Sequence, residues 1–226
     1  MNEDKVLTGI DLSIASRDLI ELLIGESTEP AIFEQIVKAN MNRPEILETL
    51  LNIPDIPEYV RNNVSNILNV PSQIKAASTQ FHKHPEERKQ TLLQRIQKLS
   101  VSERILLALR GSKEARSILL RDANKEVSMN VLENPKITET EVEAISRSRS
   151  ISDEALRKVT KKREWMKNYN IVLALVTNPK TPAGIAVNLV SELKTKDLVV
   201  LEKNRNVAEG VRITAKKLLR ARKGGH

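Results

Sequence analysis

Apolar residues recur along this chain at helical spacing, in short segments that polar or proline-containing stretches separate. In "VSERILLALR", for example, Ile105, Leu106, Ala108 and Leu109 fall at the intervals of one helix face. No segment shows the strict alternation that marks a half-buried strand. The pattern predicts an all-α protein.

Helix-start signals return at a regular interval. Before residue 70, "TEPAIF", "NRPEIL" and "DIPEYV" begin 14 and 13 residues apart, and each has a polar residue (Thr28, Asn42, Asp55) two positions before a proline. Ser100 with Glu103, and Thr138 with Glu141, have the spacing of a capping box. The predicted N-caps of the later helices, 12 to 16 residues apart, are Ser100, Ser112, Asn124, Thr138, Ser152, Asn168, Thr181 and Thr195.

Four corner sequences also echo one another: "NPKIT" at Asn134, "SRSIS" at Ser148, "NPKTP" at Asn178 and "NRNVA" at Asn204. A unit of 13 or 14 residues holds about two and a half helical turns and a tight corner. One such helix cannot bury its apolar face alone, so it must stack on its neighbours. We therefore predict a right-handed α-solenoid of short stacked helices.

The corner "TNPKTP" at 177–182, with its degenerate copy "ENPKIT", resembles the variant leucine-rich repeat, a HEAT-like bacterial α-solenoid family. The resemblance covers about residues 25–70 and 120–222, and it implies the stacked-helix fold and a bacterial origin. The best-known member of that family holds an iron–sulfur cluster with cysteines. This chain has no cysteine, so we do not expect that cofactor.

Charge divides the chain unevenly. Residues 1–70 contain five basic and 12 acidic residues, whereas the remainder contains 32 basic and 17 acidic residues. The changeover coincides with a polar, weakly periodic stretch after Val70. We predict an acidic N-terminal helical repeat module at 1–70, a linker at 71–84 and a basic C-terminal helical repeat module at 85–226.

Composition excludes several functions. The absence of cysteine removes disulfides and thiol catalysis, and the longest apolar run, "IVLALV", is too short to span a bilayer. The first residues lack the order of a signal peptide, so we expect a cytoplasmic protein without membrane association. His82 and His84 do not share a helix face, and we expect no metal and no other cofactor.

Basic residues are the strongest functional signal. Residues 145–170 contain eight basic and three acidic residues, and no acidic residue follows Arg212. On a solenoid, charges that repeat in sequence can form a stripe in space. The candidate partner-binding residues are Arg147, Arg149, Arg157, Lys158, Lys161, Lys162, Arg163, Lys167, Tyr169, Arg212, Lys216, Lys217 and Arg220.

Trp165 and Tyr169 lie four residues apart among these cations. They would stack on nucleotide bases if they were exposed. Alternatively, Trp165 fills the core at an irregular corner, because the unit that contains it is 16 residues long, and Tyr169 is half exposed with its hydroxyl in water. We favour packing.

These observations predict a non-enzymatic scaffold that mediates protein–protein interaction through an acidic N-terminal surface and a basic C-terminal surface. A nucleic-acid-binding solenoid that uses the basic face of residues 145–223 is the alternative. An enzyme such as a HEAT-like DNA glycosylase would need aromatic residues beside an acid, and the chain has one Trp and two Tyr.

Overall fold

The computed structural model describes residues 12–26, 30–53, 56–70 and 91–223. Within those ranges the chain forms fifteen α-helices and one short 3-10 helix at Val190–Glu192, and it forms no strand, so the all-α prediction is confirmed. The early helices are α1 (Arg17–Glu26), α2 (Pro30–Ala39), α3 (Pro44–Leu51), α4 (Glu58–Leu68), α5 (Leu92–Lys98), α6 (Val101–Arg110) and α7 (Lys113–Leu119). The later helices are α8 (Lys125–Val131), α9 (Glu139–Arg147), α10 (Asp153–Lys161), α11 (Arg163–Met166), α12 (Tyr169–Thr177), α13 (Ala183–Leu189), α14 (Thr195–Lys203) and α15 (Glu209–Lys223).

The chain divides into two compact units, with the boundary between Ile118 and Leu119. In the first unit, α1 packs against α2, α3 and α6, and the Ser16 amide donates to the Glu103 carboxylate on α6 at 2.9 Å. The change of charge near residue 70 and this structural boundary therefore do not coincide. The predicted linker at 71–84 lies outside the described residues.

The net positive charge of the chain lies in the second unit. Residues 119–226 include 22 basic and 13 acidic residues, a net charge of +9, whereas residues 1–118 include 15 basic and 16 acidic residues, a net charge of −1. In the second unit, some helices pack on the next helix in sequence, as α9 does on α10 and α12 does on α13. Others pack on a helix further along the chain: α8 contacts α10, α9 contacts α12, and α13 contacts α15.

The apolar run "IVLALV" lies in α12, which is buried on two sides. Ile171 and Leu175 belong to one core cluster, together with Trp165, while Val172 and Val176 belong to a second cluster with residues of α13, α14 and α15. A helix that is apolar on more than one face requires partners on each of those faces. The position of α12 between two clusters explains why its sequence has no charged residue.

Six of the eight predicted later N-caps are confirmed, because each side chain accepts a hydrogen bond from a first-turn amide. They are Ser100, Ser112, Asn124, Thr138, Ser152 and Asn168, and both predicted capping boxes form. The N-caps predicted at Thr181 and Thr195 were wrong. The N-cap of α13 is Pro182, and the N-cap of α14 is Lys194, so Thr195 already lies inside that helix.

The early cap at Asn42 was also wrong. Pro44 occupies the first helical position of α3, so the residue directly before it, Arg43, is the N-cap. Its side chain makes no capping bond there. Thr28 and Asp55 lie outside the described residues.

The four similar corners each contain the same kind of hydrogen bond. In each corner the side chain of the first residue accepts from the main-chain amide two positions later. The side chains of Asn134, Asn178 and Asn204 each accept at 2.9 Å, and the Ser148 hydroxyl accepts at 3.4 Å. This turn fixes the chain direction locally, as Asn and Ser commonly do. The corners are therefore structural, as the sequence predicted.

Several side chains also reach main-chain carbonyls that lie about 30 residues earlier in the chain. The Asn178 amide nitrogen donates to the carbonyls of Ser146 at 2.7 Å and Ser148 at 3.0 Å, which lie 32 and 30 residues earlier. Arg222 does the same at Leu193, 29 residues earlier, and Arg43 does so at Ser13, 30 residues earlier. The bonds to Ser146, Ser148 and Leu193 satisfy carbonyls at the ends of helices, where no intrahelical partner exists.

Candidate interaction surface

Trp165 lies in the core of the second unit. Only 7% of its surface is exposed, and it belongs to the cluster that contains Leu156, Ile171 and Leu175. The ammonium of Lys162 lies 4.6 Å from the centre of its ring, a favourable cation–π distance. The packing interpretation of Trp165 is confirmed, so this ring does not offer a stacking face to a nucleotide.

Tyr169 is half-buried, and its hydroxyl is not left to water. The hydroxyl donates a short hydrogen bond to the Asp197 carboxylate and accepts one from the Lys194 amide at 3.0 Å. The Lys194 ammonium lies 4.6 Å from the ring centre. Burial, followed by the hydrogen bond to Asp197, raises the pKa of Tyr169 above its usual value. Tyr169 therefore joins α12 to the start of α14.

Two of the candidate cations hold the end of α8 in place. Lys158 donates to the Met129 carbonyl at 2.9 Å, and Lys162 donates to the Leu132 carbonyl at 2.8 Å. Both ammonium groups also contact the Glu133 carboxylate, at 2.8 and 3.0 Å. Cations at a helix C-terminus compensate the partial negative charge of its carbonyls. These two lysines thus have internal partners, which their sequence context did not indicate.

This arrangement predicts that the second unit loses stability in acid. Partial burial acts to raise the pKa of Glu133, but the hydrogen bonds and charges of Lys158 and Lys162 outweigh it, so the pKa lies below its usual value. A lowered pKa stabilises the fold fully above the ordinary glutamate value of about 4.3, and that stabilisation is lost as pH falls through the folded value. We expect Glu133→Gln to reduce the difference in unfolding midpoint between pH 6 and pH 3.5, followed by Trp165 fluorescence. An unchanged difference would contradict the proposed coupling.

Two further candidates have weak local partners. Arg147 pairs with Glu143 at 2.6 Å, and Arg157 approaches Asp153 at 3.8 Å, both one turn apart on their own helices. More than half of each arginine side chain is exposed. Exposed pairs of this kind contribute about 0.2–1 kcal/mol, so either arginine can exchange its partner at little cost.

The remaining candidates are mostly exposed cations, and only Arg212 is half-buried. On α15, Val211, Ala215 and Leu219 face the core at intervals of four, which leaves the basic residues outward. Seven candidates are exposed, and their side chains make no hydrogen bond or ion pair in the part of the chain that the structure describes: Arg149, Lys161, Arg163, Lys167, Lys216, Lys217 and Arg220.

Six of these seven cations lie in two segments of the chain, and Arg149 belongs to neither. We name Lys161, Arg163 and Lys167, around α11, the corner patch, and Lys216, Lys217 and Arg220, on α15, the helix patch. Neither α12 nor α13 has a charged residue, and α13 packs against both α12 and α15. Helices α12 and α13, which lie between these segments in the chain, therefore contribute no charge to a continuous stripe.

A shallow groove of about 290 Å³, which the sequence did not predict, lies on one side of the second unit. The end of α9 and the adjacent faces of α12 and α14 form it, and its lining residues are Arg147, Leu173, Ala174, Thr177, Asp197, Val200, Leu201 and Asn204. One signal was present in the sequence: "LVVL" in α14 has four consecutive apolar residues, although a helix with one buried face can cover only some of them. Val199 and Val200 are accordingly exposed.

Two absences hold for the described ranges. No group of three or more His, Asp or Glu side chains comes together there as a metal site would need, and none of the helices there combines the length and apolar character of a bilayer span. His82 and His84 lie outside those ranges. In comparisons with known proteins, no family model, no curated protein and no solved structure matches this chain.

Proposed function

We propose that this chain is a non-enzymatic scaffold whose second unit is a right-handed α-solenoid, similar to the variant leucine-rich repeat, and that it binds an acidic protein partner through its exposed cations. The observation that carries the proposal is the set of seven exposed cations without an internal partner. Charges that a fold does not use for itself are available to neutralise another molecule.

The solenoid arrangement has its main support in the long-range hydrogen bonds. Side chains of Lys158, Lys162, Asn178 and Arg222 reach main-chain carbonyls 29 to 32 residues earlier, an interval close to two helices and two corners. In a stack of two-helix repeats, each repeat contacts the one before it at that interval. The packing of α9 on α12 and of α13 on α15 follows the same interval.

Binding by such a scaffold costs little conformational entropy. The corner patch begins at the last residue of α10 and spans α11, whose Trp165 is fixed in the core. A surface that is ordered before binding loses less freedom when a partner docks. The excess of acidic residues before residue 70 would give the N-terminal part a second surface for a different partner.

Nucleic acid is the second candidate partner, because the same seven cations and the charge of +9 on the second unit suit phosphate groups. The aromatic residues argue against a single-stranded ligand: Trp165 is buried, and Tyr169 is held by Asp197 and Lys194. Without base stacking, binding would be purely electrostatic and would weaken by orders of magnitude between 50 and 200 mM salt.

The proposal is tested by affinity capture with the full chain from a nuclease-treated lysate of the cells that produce it. The test variant reverses the charge of the corner patch by Lys161→Glu, Arg163→Glu and Lys167→Glu. The matched control reverses the charge of three exposed cations of the first unit, by Lys38→Glu, Lys98→Glu and Lys113→Glu, and changes the net charge equally. We expect the test variant to retain less than a tenth of the captured protein and the control to retain most of it.

Equal capture by the two variants would refute the corner patch as the binding surface. The partner would be nucleic acid rather than protein under two results. Capture would disappear after nuclease treatment, and binding to mixed RNA and DNA would fall steeply between 50 and 200 mM salt.

A further inference from the structure

We propose that the groove between α9, α12 and α14 is a docking site for an acidic protein segment that inserts one apolar side chain. This inference rests on the proposed function, since it names the segment of the protein partner that this unit recognises. The groove lies wholly within the second unit and does not include the corner patch or the helix patch.

Part of the groove is apolar. Leu173, which is half-buried, lines it above the buried Ala174 and Leu201, and Val200, at 67% exposure, forms part of its wall. The adjacent Val199 is 41% exposed. Single exposed apolar residues are ordinary on a protein surface, whereas Val199 and Val200 are adjacent and stand beside a concave site. Covering them would remove apolar area from water.

The size of the groove favours one side chain rather than a large small-molecule ligand. Its volume is about 290 Å³, whereas pockets for drug-sized ligands hold about 300–1,000 Å³ and enclose most of the ligand. A cavity of about 150 Å³ accepts benzene. A leucine or phenylalanine side chain therefore fits, with room for the main chain that bears it.

The polar residues at the rim suit a peptide main chain. Asn204 uses its side-chain oxygen to accept from the Asn206 amide, and its NH₂ group has no partner in the described part of the chain. This group can donate to a carbonyl of a docked segment. Of the acids near the groove, Asp197 is bound to the Tyr169 hydroxyl, and Glu143 is paired with the exposed Arg147.

Charge complementarity points to an acidic segment. Lys196 and Lys203 on α14, and Arg205 in the following corner, are exposed and have no internal partner in the described residues. The other acid of α14, Glu202, is half-buried. Lys196 and Lys203 lie three or four residues from both exposed valines on α14, so they share that face of the helix. They would repel a basic segment and attract Asp or Glu residues that flank the apolar anchor.

The test is selection of binding peptides from a phage-displayed library of random 12-residue sequences on the immobilised full chain. We expect the enriched peptides to share one large apolar residue with at least two Asp or Glu residues beside it. The best peptide, measured by fluorescence anisotropy, should bind Val200→Glu at least tenfold more weakly than the unmodified chain. It should bind Ile213→Glu within twofold, because Ile213 is similarly exposed (58%) but lies on α15 outside the groove.

A second pair of variants tests the charge argument. Lys203→Glu should weaken binding of the same peptide severalfold, whereas Lys216→Glu, on the helix patch, should leave it unchanged. Enriched peptides without acidic residues, unchanged binding to Val200→Glu, or no enrichment at all would each overturn the groove proposal. Self-association of the chain that Val200→Glu abolishes would also overturn it, by assigning the groove to a second copy.

The failure of this proposal is distinguishable from failure of the proposed function. If the groove variants bind normally while the corner-patch variant still loses protein capture, the chain binds an acidic partner elsewhere. If neither set of variants changes binding, both proposals fail.

Discussion

Replacement of Asn178 by alanine is expected to destabilise the second unit by about 2–4 kcal/mol. The Asn178 side chain is 5% exposed and donates to two carbonyls at the end of α9, those of Ser146 and Ser148. Alanine leaves both carbonyls without this donor, and an unsatisfied buried polar group costs about 1–3 kcal/mol. Urea unfolding followed by the fluorescence of Trp165, the single tryptophan of the chain, measures this loss within the second unit.

The matched control is Asn204→Ala. Asn204 occupies the same corner position, but it is less buried, and its recorded bond is the local one to the Asn206 amide. We expect a loss of about 0.5–1.5 kcal/mol for this single local bond. Equal losses for Asn178→Ala and Asn204→Ala would show that the bonds to the preceding pair of helices contribute nothing to the fold.

Leu175→Ala is expected to cost about 2–5 kcal/mol, because it removes a fully buried side chain from the cluster around Trp165. The neighbouring Leu173→Ala is its control. Leu173 is half-buried and lines the groove, so we expect a loss near 1 kcal/mol, since less apolar surface leaves the core. The same unfolding measurement compares them.

The two leucines should also differ in binding. After correction for the folded fraction, Leu175→Ala should retain affinity for the selected peptide, while Leu173→Ala should lose much of it because the groove floor is changed. A reversed order of stability loss would mean that the assignment of these two faces of α12 is wrong.

The helices and their caps were the most predictable part of the structure, for local reasons. Capping by Ser100 and Thr138 depends only on residues three positions away, so the sequence contains the whole interaction. Corners such as that at Asn178 likewise depend on a residue two positions later. The prediction at Thr181 was wrong because a polar residue before a proline resembles a cap, whereas Pro182 itself is the N-cap of α13.

The roles of individual cations could not be predicted, because their partners lie far away in sequence. Lys161 and Lys162 are neighbours of identical chemistry, yet Lys161 is exposed without a partner and Lys162 binds the Leu132 carbonyl 30 residues earlier. Only the three-dimensional packing of α8 on α10 distinguishes them. For the same reason the groove was missed, since its walls come from three helices that are separated in the chain.

In the proposed solenoid, successive pairs of helices stack in register, so that residues distant in the chain form one surface. Ser150, Lys180 and Asn206 occupy the same exposed position in three corners, where each amide donates to the residue two before it. Because the chain has no cysteine, Ser150→Cys with Asn206→Cys introduces one pair of spin-label sites without background.

Pulsed electron paramagnetic resonance on this doubly labelled chain measures the distance between the two labels, and this distance tests whether the helix pairs stack. Helices pack about 8–10 Å apart, so two repeat steps predict a separation of roughly 20 Å between residues 150 and 206. The pair at residues 150 and 180, one step apart, should give about half that value. A separation above about 35 Å between residues 150 and 206, or one no longer than the single step, would contradict the stacked arrangement.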